Sequence, residues 1–183
     1  IKTKTITKKT KTTKTSKDLY ILIIYITFVQ NKSNNMSFTQ SVYHIVFSTK
    51  NREPTIAEKY EREFYKLIYD LMIGLDAHVY RIGGMPDHIH ILVDISAKNS
   101  LAEFVKKLKQ ESSFLIARNS LFPLWNGWEE GYAAFTYSNK EVPNVISYIK
   151  NQKEHHKKVS FIDEYRNWLV EMGVSSDVPY FPK

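Results

Sequence analysis

His88-Ile89-His90-Ile91-Leu92-Val93-Asp94-Ile95 is the stretch that decides the fold. Its residues alternate: Ile89, Ile91, Val93 and Ile95 lie on one side of an extended strand, and His88, His90, Leu92 and Asp94 on the other. The wholly aliphatic side must face a core, which puts the two histidines side by side on the opposite face of a sheet. At that spacing two imidazoles can converge on one cation. Two surface histidines on a strand give the same pattern, so spacing alone leaves both readings open.

Working outward, Gly83-Gly84-Met85-Pro86 reads as a turn and residues 78–82 as the strand before it, which together predict a hairpin. Residues 41–49 (SVYHIVFST) are β-branched and aromatic on both faces, the pattern of a strand covered on both sides. Between them Pro54 opens a helix with apolar positions at Phe64, Leu67, Ile68, Leu71 and Leu75. Leu101, Phe104, Val105, Leu108, Leu115 and Ile116 make a second amphipathic helix. Residues 132–137 form a fourth short strand. Ser138 and Glu141 fit a capping box, predicting a helix over residues 140–156, and a last helix covers 161–172. The order strand, helix, strand, strand, helix, strand, helix, helix predicts an α+β, ferredoxin-like antiparallel sheet with helices on one face and a C-terminal tyrosine-bearing helix. The other face is then expected to stand open for a substrate.

On the helix after Glu141, Val142, Val145, Ile146 and Ile149 form one apolar arc. Tyr148, Gln152 and His155 share an adjoining edge at spacings of four and three. The phenol and the amide are either functional groups aimed at the sheet or border residues of an amphipathic helix, and spacing does not decide.

Charge is a poor guide here. The net charge of +7 is carried by residues 1–36, with eight lysines against Asp18, whereas residues 37–183 hold 18 basic and 18 acidic residues. Residues 1–36 are expected to be a disordered or non-native basic leader, with Met36-Ser37 as a natural start, and residues 37–183 a single domain. The apolar island at 19–29 is too short to span a bilayer, which takes ~20 residues, so no membrane association is expected. The absence of cysteine excludes disulfides, thiolate metal sites and cysteine nucleophiles, and fits a cytoplasmic protein.

Two separated motifs resemble a known family. His88-Ile89-His90 is similar to the His-hydrophobic-His motif of the HUH endonucleases. Tyr148-Ile149-Lys150-Asn151-Gln152, with Glu154-His155-His156 behind it, resembles the tyrosine helix of their smallest members. Those are the single-tyrosine transposases of small bacterial insertion sequences, including the palindrome-associated tyrosine transposases. Tyr43-His44-Ile45-Val46-Phe47 and Gly131-Tyr132-Ala133-Ala134-Phe135 extend the likeness to residues 38–174.

The resemblance implies a metal site of His88, His90 and Gln152 for Mg²⁺ or Mn²⁺, and Tyr148 as a nucleophile that leaves a 5′-phosphotyrosine link and a free 3′-hydroxyl. It also implies a homodimer acting on hairpin-bearing single-stranded DNA in DNA recombination and transposition. No nucleotide cofactor is needed, and no G-x-x-x-x-G-K-[ST] occurs. Phosphate contacts are expected from Lys50, Arg52, Arg81, Lys106, Lys109, Lys150 and Lys153. His155 and His156 are placed facing DNA or behind the metal ligands, with direct metal ligation as the alternative. His44 reads as a core histidine, Asp87 and Asp94 as turn and strand-end residues, and Trp125 and Trp128 as packing for their loop. No general base for the tyrosine stands out. The competing readings are a non-catalytic hairpin-binding relative, which would have no chemical reason to keep all four site residues, and a histidine-dependent metallohydrolase, which would form no covalent link to DNA.

Overall fold

A computed structural model of the chain describes residues 39–171 and 173, so the expectation for residues 1–36 lies outside the described residues. Strands β1 (Val42–Ser48), β2 (Ala77–Met85), β3 (His88–Ile95) and β4 (Ala133–Thr136) form one antiparallel sheet in the order β2-β3-β1-β4. Helix α1 (Glu61–Gly74) links β1 to β2, and α2 (Leu101–Ala117) links β3 to β4. This is the ferredoxin-like arrangement. The aliphatic side of β3 meets Ile45 and Phe47 of β1, and both pack on Phe64, Ile68 and Met72 of α1 and Phe104, Leu108 and Ile116 of α2. Each fully buried side chain of that size contributes about 1.5–3 kcal/mol.

The opposite face carries His88, His90 and Leu92 from β3, with Val42, His44 and Val46 from β1. It is not open. Val42 and Leu92 pack against Val142, Val145 and Ile149 of helix α3 (Val142–Lys150), while Val46, Ala133 and Phe135 pack against Phe161 and Trp168 of helix α5 (Phe161–Glu171). The expected free face is corrected for a simple reason. β1 and β4 turn apolar residues to both sides, and those need cover as much as the main core does.

Two local expectations also shift. The tyrosine-bearing helix does not run unbroken over 140–156. It starts at Val142, with Pro143 in its first turn, and is interrupted at Asn151 before the short α4 (Gln152–His155). The Glu141 carboxylate instead accepts from Ser138 N and Oγ at 2.8 and 2.7 Å, tightening the turn before the helix. The glycine pair is not a turn either. Gly83 pairs with His90 and Gly84 with Ile89 inside the hairpin, leaving only Pro86 and Asp87 to connect the strands. A Cβ on Gly83 would lie 2.7 Å from Ile149 O and 2.8 Å from Ile149 Cγ2, so the bare backbone at this point is what seats α3 on the sheet. The tryptophan loop packs as expected: Trp128 Nε1 donates to Ser112 Oγ (2.9 Å) and Trp125 Nε1 to Ser113 Oγ (3.2 Å), with both rings against the main core.

Candidate active site

β3 presents His88 and His90 to the space under α3, α4 and α5, where they are 1% and 0% exposed. Asp87, just before the strand, accepts from Arg52 Nη2 at 2.6 Å and from His88 Nδ1 at 2.8 Å. Burial would raise this carboxyl, but the hydrogen bonds and charges of His88 and Arg52 outweigh it and hold the group at about 2. An ionised acceptor fixes the His88 proton on Nδ1 and leaves the Nε2 lone pair facing the site. His90 Nδ1 lies 3.0 Å from Nε2 of His44, whose ring stacks on it at 5.2 Å. When His90 donates this bond, its Nε2 also faces the site as a lone pair. Burial lowers His90 well below the ordinary histidine range and His44 to about 3, so both are neutral at neutral pH, as a metal ligand must be. His44, expected to be an ordinary core histidine, therefore backs one of the two strand histidines.

The break at Asn151 keeps Tyr148 and Gln152 one turn apart while turning both toward the sheet. The Tyr148 ring lies 6.1 Å from the ring of His90 and 6.1 Å from that of His44. Its hydroxyl donates to Glu164 Oε1, and Gln152 Nε2 approaches the same oxygen at 3.3 Å. Gln152 is buried, and its Oε1 has no hydrogen-bond partner among the described residues; the same holds for His90 Nε2 and Glu164 Oε2.

Glu164 is the residue that sequence reasoning missed. It comes from α5 and is buried between Phe161 and Trp168, which sit about one turn to either side on the same helix face. Burial pushes its carboxyl up to about 8. An acid in the apolar stripe of an amphipathic helix was the available signal. His156 Nε2 lies 3.1 Å from His88 Nε2 and 3.4 Å from Glu164 Oε2, and His155 Nε2 lies 3.2 Å from Glu164 Oε1. Both histidines thus sit within the cluster.

The basic candidates divide. Arg52 is bound to Asp87 and lies 4.6 Å over the Phe161 ring. Lys109 donates to the carbonyls of Glu129, Glu130 and Gly131 at 2.5, 2.8 and 3.0 Å, which uses all three of its hydrogens. Lys153 pairs with Glu58 and Glu61 at 2.7 and 2.6 Å. Lys50 and Lys106 are exposed along a groove of about 760 Å³ shared with Phe114, Trp128 and Tyr132. Arg81 and Lys150 are exposed on another of about 440 Å³, beside Arg62.

Residues 37–152 match the family described as Transposase IS200 like. The chain belongs to the IS200-like transposase family. This transposase is 25% identical over 120 residues to the ISDra2 transposase TnpA of Deinococcus radiodurans, covering 63% of this chain and 86% of that protein. It is 29% identical over 125 residues to the transposase for insertion sequence element IS200 of Salmonella typhimurium, covering 63% and 78%. Its fold matches a crystal structure from Deinococcus radiodurans R1 described as a transposase, with a TM-score of 0.52, 23% identity and coverage of 66% and 97%. It also matches a REP-associated tyrosine transposase bound to a REP hairpin, with a TM-score of 0.52, 12% identity and coverage of 70% and 76%. The family match ends at Gln152, so α5 of this IS200-like transposase, with Glu164 and Trp168, lies beyond it. Among the described residues, no helix is long and apolar enough to cross a membrane.

Proposed function

We propose that this transposase cleaves and rejoins single-stranded DNA by transesterification at Tyr148, with Mg²⁺ or Mn²⁺ held by His88, His90 and Gln152. The reading is carried by two orphaned polar atoms, Gln152 Oε1 and His90 Nε2, the second a lone pair in the tautomer that donates to His44; both are buried and have no hydrogen-bond partner among the described residues. A buried polar atom left without a partner costs about 1–3 kcal/mol. A cation would satisfy both, and His88 Nε2 would be its third ligand. When bound, the divalent ion would polarise the scissile phosphate and neutralise charge on its oxygens.

The chain's own residues do the rest. Tyr148 Oη attacks phosphorus; the new phosphotyrosine bond forms as the bond to the DNA 3′-oxygen breaks, leaving a 5′-phosphotyrosine link and a 3′-hydroxyl. The phenolic proton is released through solvent as the 3′-oxygen takes one up, so the step balances; Glu164 Oε1 holds the phenolic hydrogen bond only while α5 is closed. Asp87 and His44 hold the two strand histidines in their ligand-competent orientation. Rejoining is the reverse attack by a 3′-hydroxyl on the phosphotyrosine, and it needs no nucleotide because the phosphodiester energy is kept. Since α5 covers the cluster, a DNA strand reaches Tyr148 only when Glu164 and Trp168 are displaced. Hairpin-bearing DNA as substrate is supported by the fold shared with the hairpin-bound REP-associated transposase. Phosphate contacts are assigned to the exposed Lys50, Lys106, Arg81 and Lys150, and the active species to a homodimer.

The test is incubation of the protein and its Tyr148→Phe variant with hairpin-bearing single-stranded DNA from the flanks of its own gene, with Mn²⁺, followed by a denaturing gel. The wild type is expected to form a covalent protein-DNA adduct and the variant none. Binding without cleavage would instead indicate a hairpin-binding protein, and cleavage without an adduct a metallohydrolase.

A further inference from the structure

One histidine-histidine contact in the cluster is chemically odd. His88 Nε2 and His156 Nε2 lie 3.1 Å apart, while the other nitrogen of each ring faces an acceptor: Asp87 Oδ1 at 2.8 Å for His88, and the Val159 carbonyl at 3.0 Å for His156. Carboxylate and carbonyl oxygens bind only an N–H, so both rings carry their proton on Nδ1. A neutral imidazole has a single N–H, which leaves two lone pairs pointing at each other. That arrangement is repulsive unless a cation lies between them.

Two further acceptors point to the same place. His90 Nε2 and Glu164 Oε2 are buried without a hydrogen-bond partner among the described residues. Glu164 Oε2 lies 3.4 Å from His156 Nε2 and 3.9 Å from His90 Nε2, and the four donor atoms all fall within 4.8 Å of one another. A tetrahedral ion with bonds of ~2.0–2.2 Å spaces its donors about 3.3–3.6 Å apart; three of the pairs here are separated by 3.1, 3.4 and 3.9 Å, in a cluster spanning up to 4.8 Å that would draw in around the ion.

We propose that His88, His90, His156 and Glu164 form a tetrahedral Zn²⁺ site that exists only while α5 is closed over the sheet. Three imidazoles and a carboxylate suit Zn²⁺, whereas Mg²⁺ takes oxygen ligands in an octahedron. Asp87 behind His88 supplies the carboxylate-histidine-metal relay usual at zinc sites. The site also accounts for a carboxylate in the apolar stripe of α5, which packing alone does not explain. It shares His88 and His90 with the catalytic set but replaces Gln152 and the substrate phosphate by His156 and Glu164. Its four protein ligands fill a tetrahedral sphere, so Zn²⁺ pins α5 down through Glu164 and leaves no position for DNA. That functional consequence rests on the transposase reading above; the metal site itself does not.

The experiment uses the full chain without DNA. Zn²⁺ affinity is measured by competition with a chromophoric chelator, and geometry by the visible spectrum of the Co²⁺-loaded protein. Wild type is expected to bind one equivalent of Zn²⁺ and to give the intense bands of tetrahedral Co²⁺. Glu164→Gln and His156→Gln are each expected to weaken Zn²⁺ at least ~10–100-fold and to abolish those bands, while Gly131→Ala, where an added Cβ meets nothing within 4 Å, changes neither. Glutamine at 164 keeps the volume and an acceptor for Tyr148, and melting curves in chelator confirm folding. An octahedral Co²⁺ spectrum in wild type overturns the proposal, as does Zn²⁺ binding that falls with Gln152→Ala but not with the Glu164 and His156 variants. Mn²⁺ binding read by electron paramagnetic resonance tests the catalytic set separately. It should fall in Gln152→Ala and persist in His156→Gln, so either site can fail without the other.

Discussion

Replacing Gly83 by alanine adds one carbon at the point where the tyrosine helix touches the sheet. Gly83 is the cross-strand partner of His90, so a side chain there would project onto the same face as that histidine, straight at Ile149. Its contacts of 2.7 Å with Ile149 O and 2.8 Å with Ile149 Cγ2 are about 0.7 Å too short for an unstrained carbon. The nearer atom is helix backbone, so relief requires α3 to move. Overpacking of this kind costs about 1–3 kcal/mol, offset by the roughly 0.4–1 kcal/mol that alanine gains by restricting the unfolded chain. A modest net loss of stability is expected. The chemical effect should be larger, because Tyr148 precedes Ile149 and a displacement near 1 Å at a reacting group costs about 100-fold in rate. The assay pairs a thermal melt with the single-turnover rate of covalent adduct formation on hairpin DNA. Gly131→Ala, where an added Cβ meets nothing within 4 Å, serves as the control. An adduct rate for Gly83→Ala within a factor of two of that control would refute the idea that this glycine seats the tyrosine.

Three other outcomes are expected. In the metal-free protein, Glu164 is raised to about 8, so its contribution to stability is complete below its ordinary value of 4.5 and is lost as pH rises to about 8. His44 and His156 are lowered to about 3 and about 4, so theirs are complete above 6.5 and are lost as pH falls. Denaturant melts should therefore show greatest stability near pH 6.5 and a decline of about 2 kcal/mol by pH 8; a curve flat over that range, or the same decline in Glu164→Gln, would contradict the assignment. Trp168→Ala removes a buried ring packed against His44, His90 and Tyr148. It should lower stability by roughly 3–5 kcal/mol and, by loosening α5, raise the adduct rate per folded molecule. Lys109→Met should destabilise the loop at residues 129–131 by roughly 1–3 kcal/mol yet leave the salt dependence of DNA binding unchanged, whereas Lys106→Ala should reduce the salt slope by about 1.

The order of elements along the chain, the hairpin and the side of the sheet that carries the histidines were all readable from the chain, because alternation and helical spacing are local properties repeated over many residues. The helix start at Val142 rather than 140 and the extension of β2 through Gly83 and Gly84 were not. Pro143 sets the first turn of its helix, and glycines that commonly make turns also serve where two backbones approach closely. Covalent neighbours do not reveal which of these uses applies.

By itself the sequence determined that His88 and His90 share a face and that Tyr148 and Gln152 lie one turn apart. Those facts depend only on the periods of strand and helix. Tertiary structure alone decided that Glu164 meets Tyr148 across 16 residues of chain, that His156 faces His88 across 68, and that Lys109, Lys153 and Arg52 are engaged within the protein. The hydrogen-bond partner of a side chain is set by which surfaces pack together, and no pattern confined to one segment contains that information.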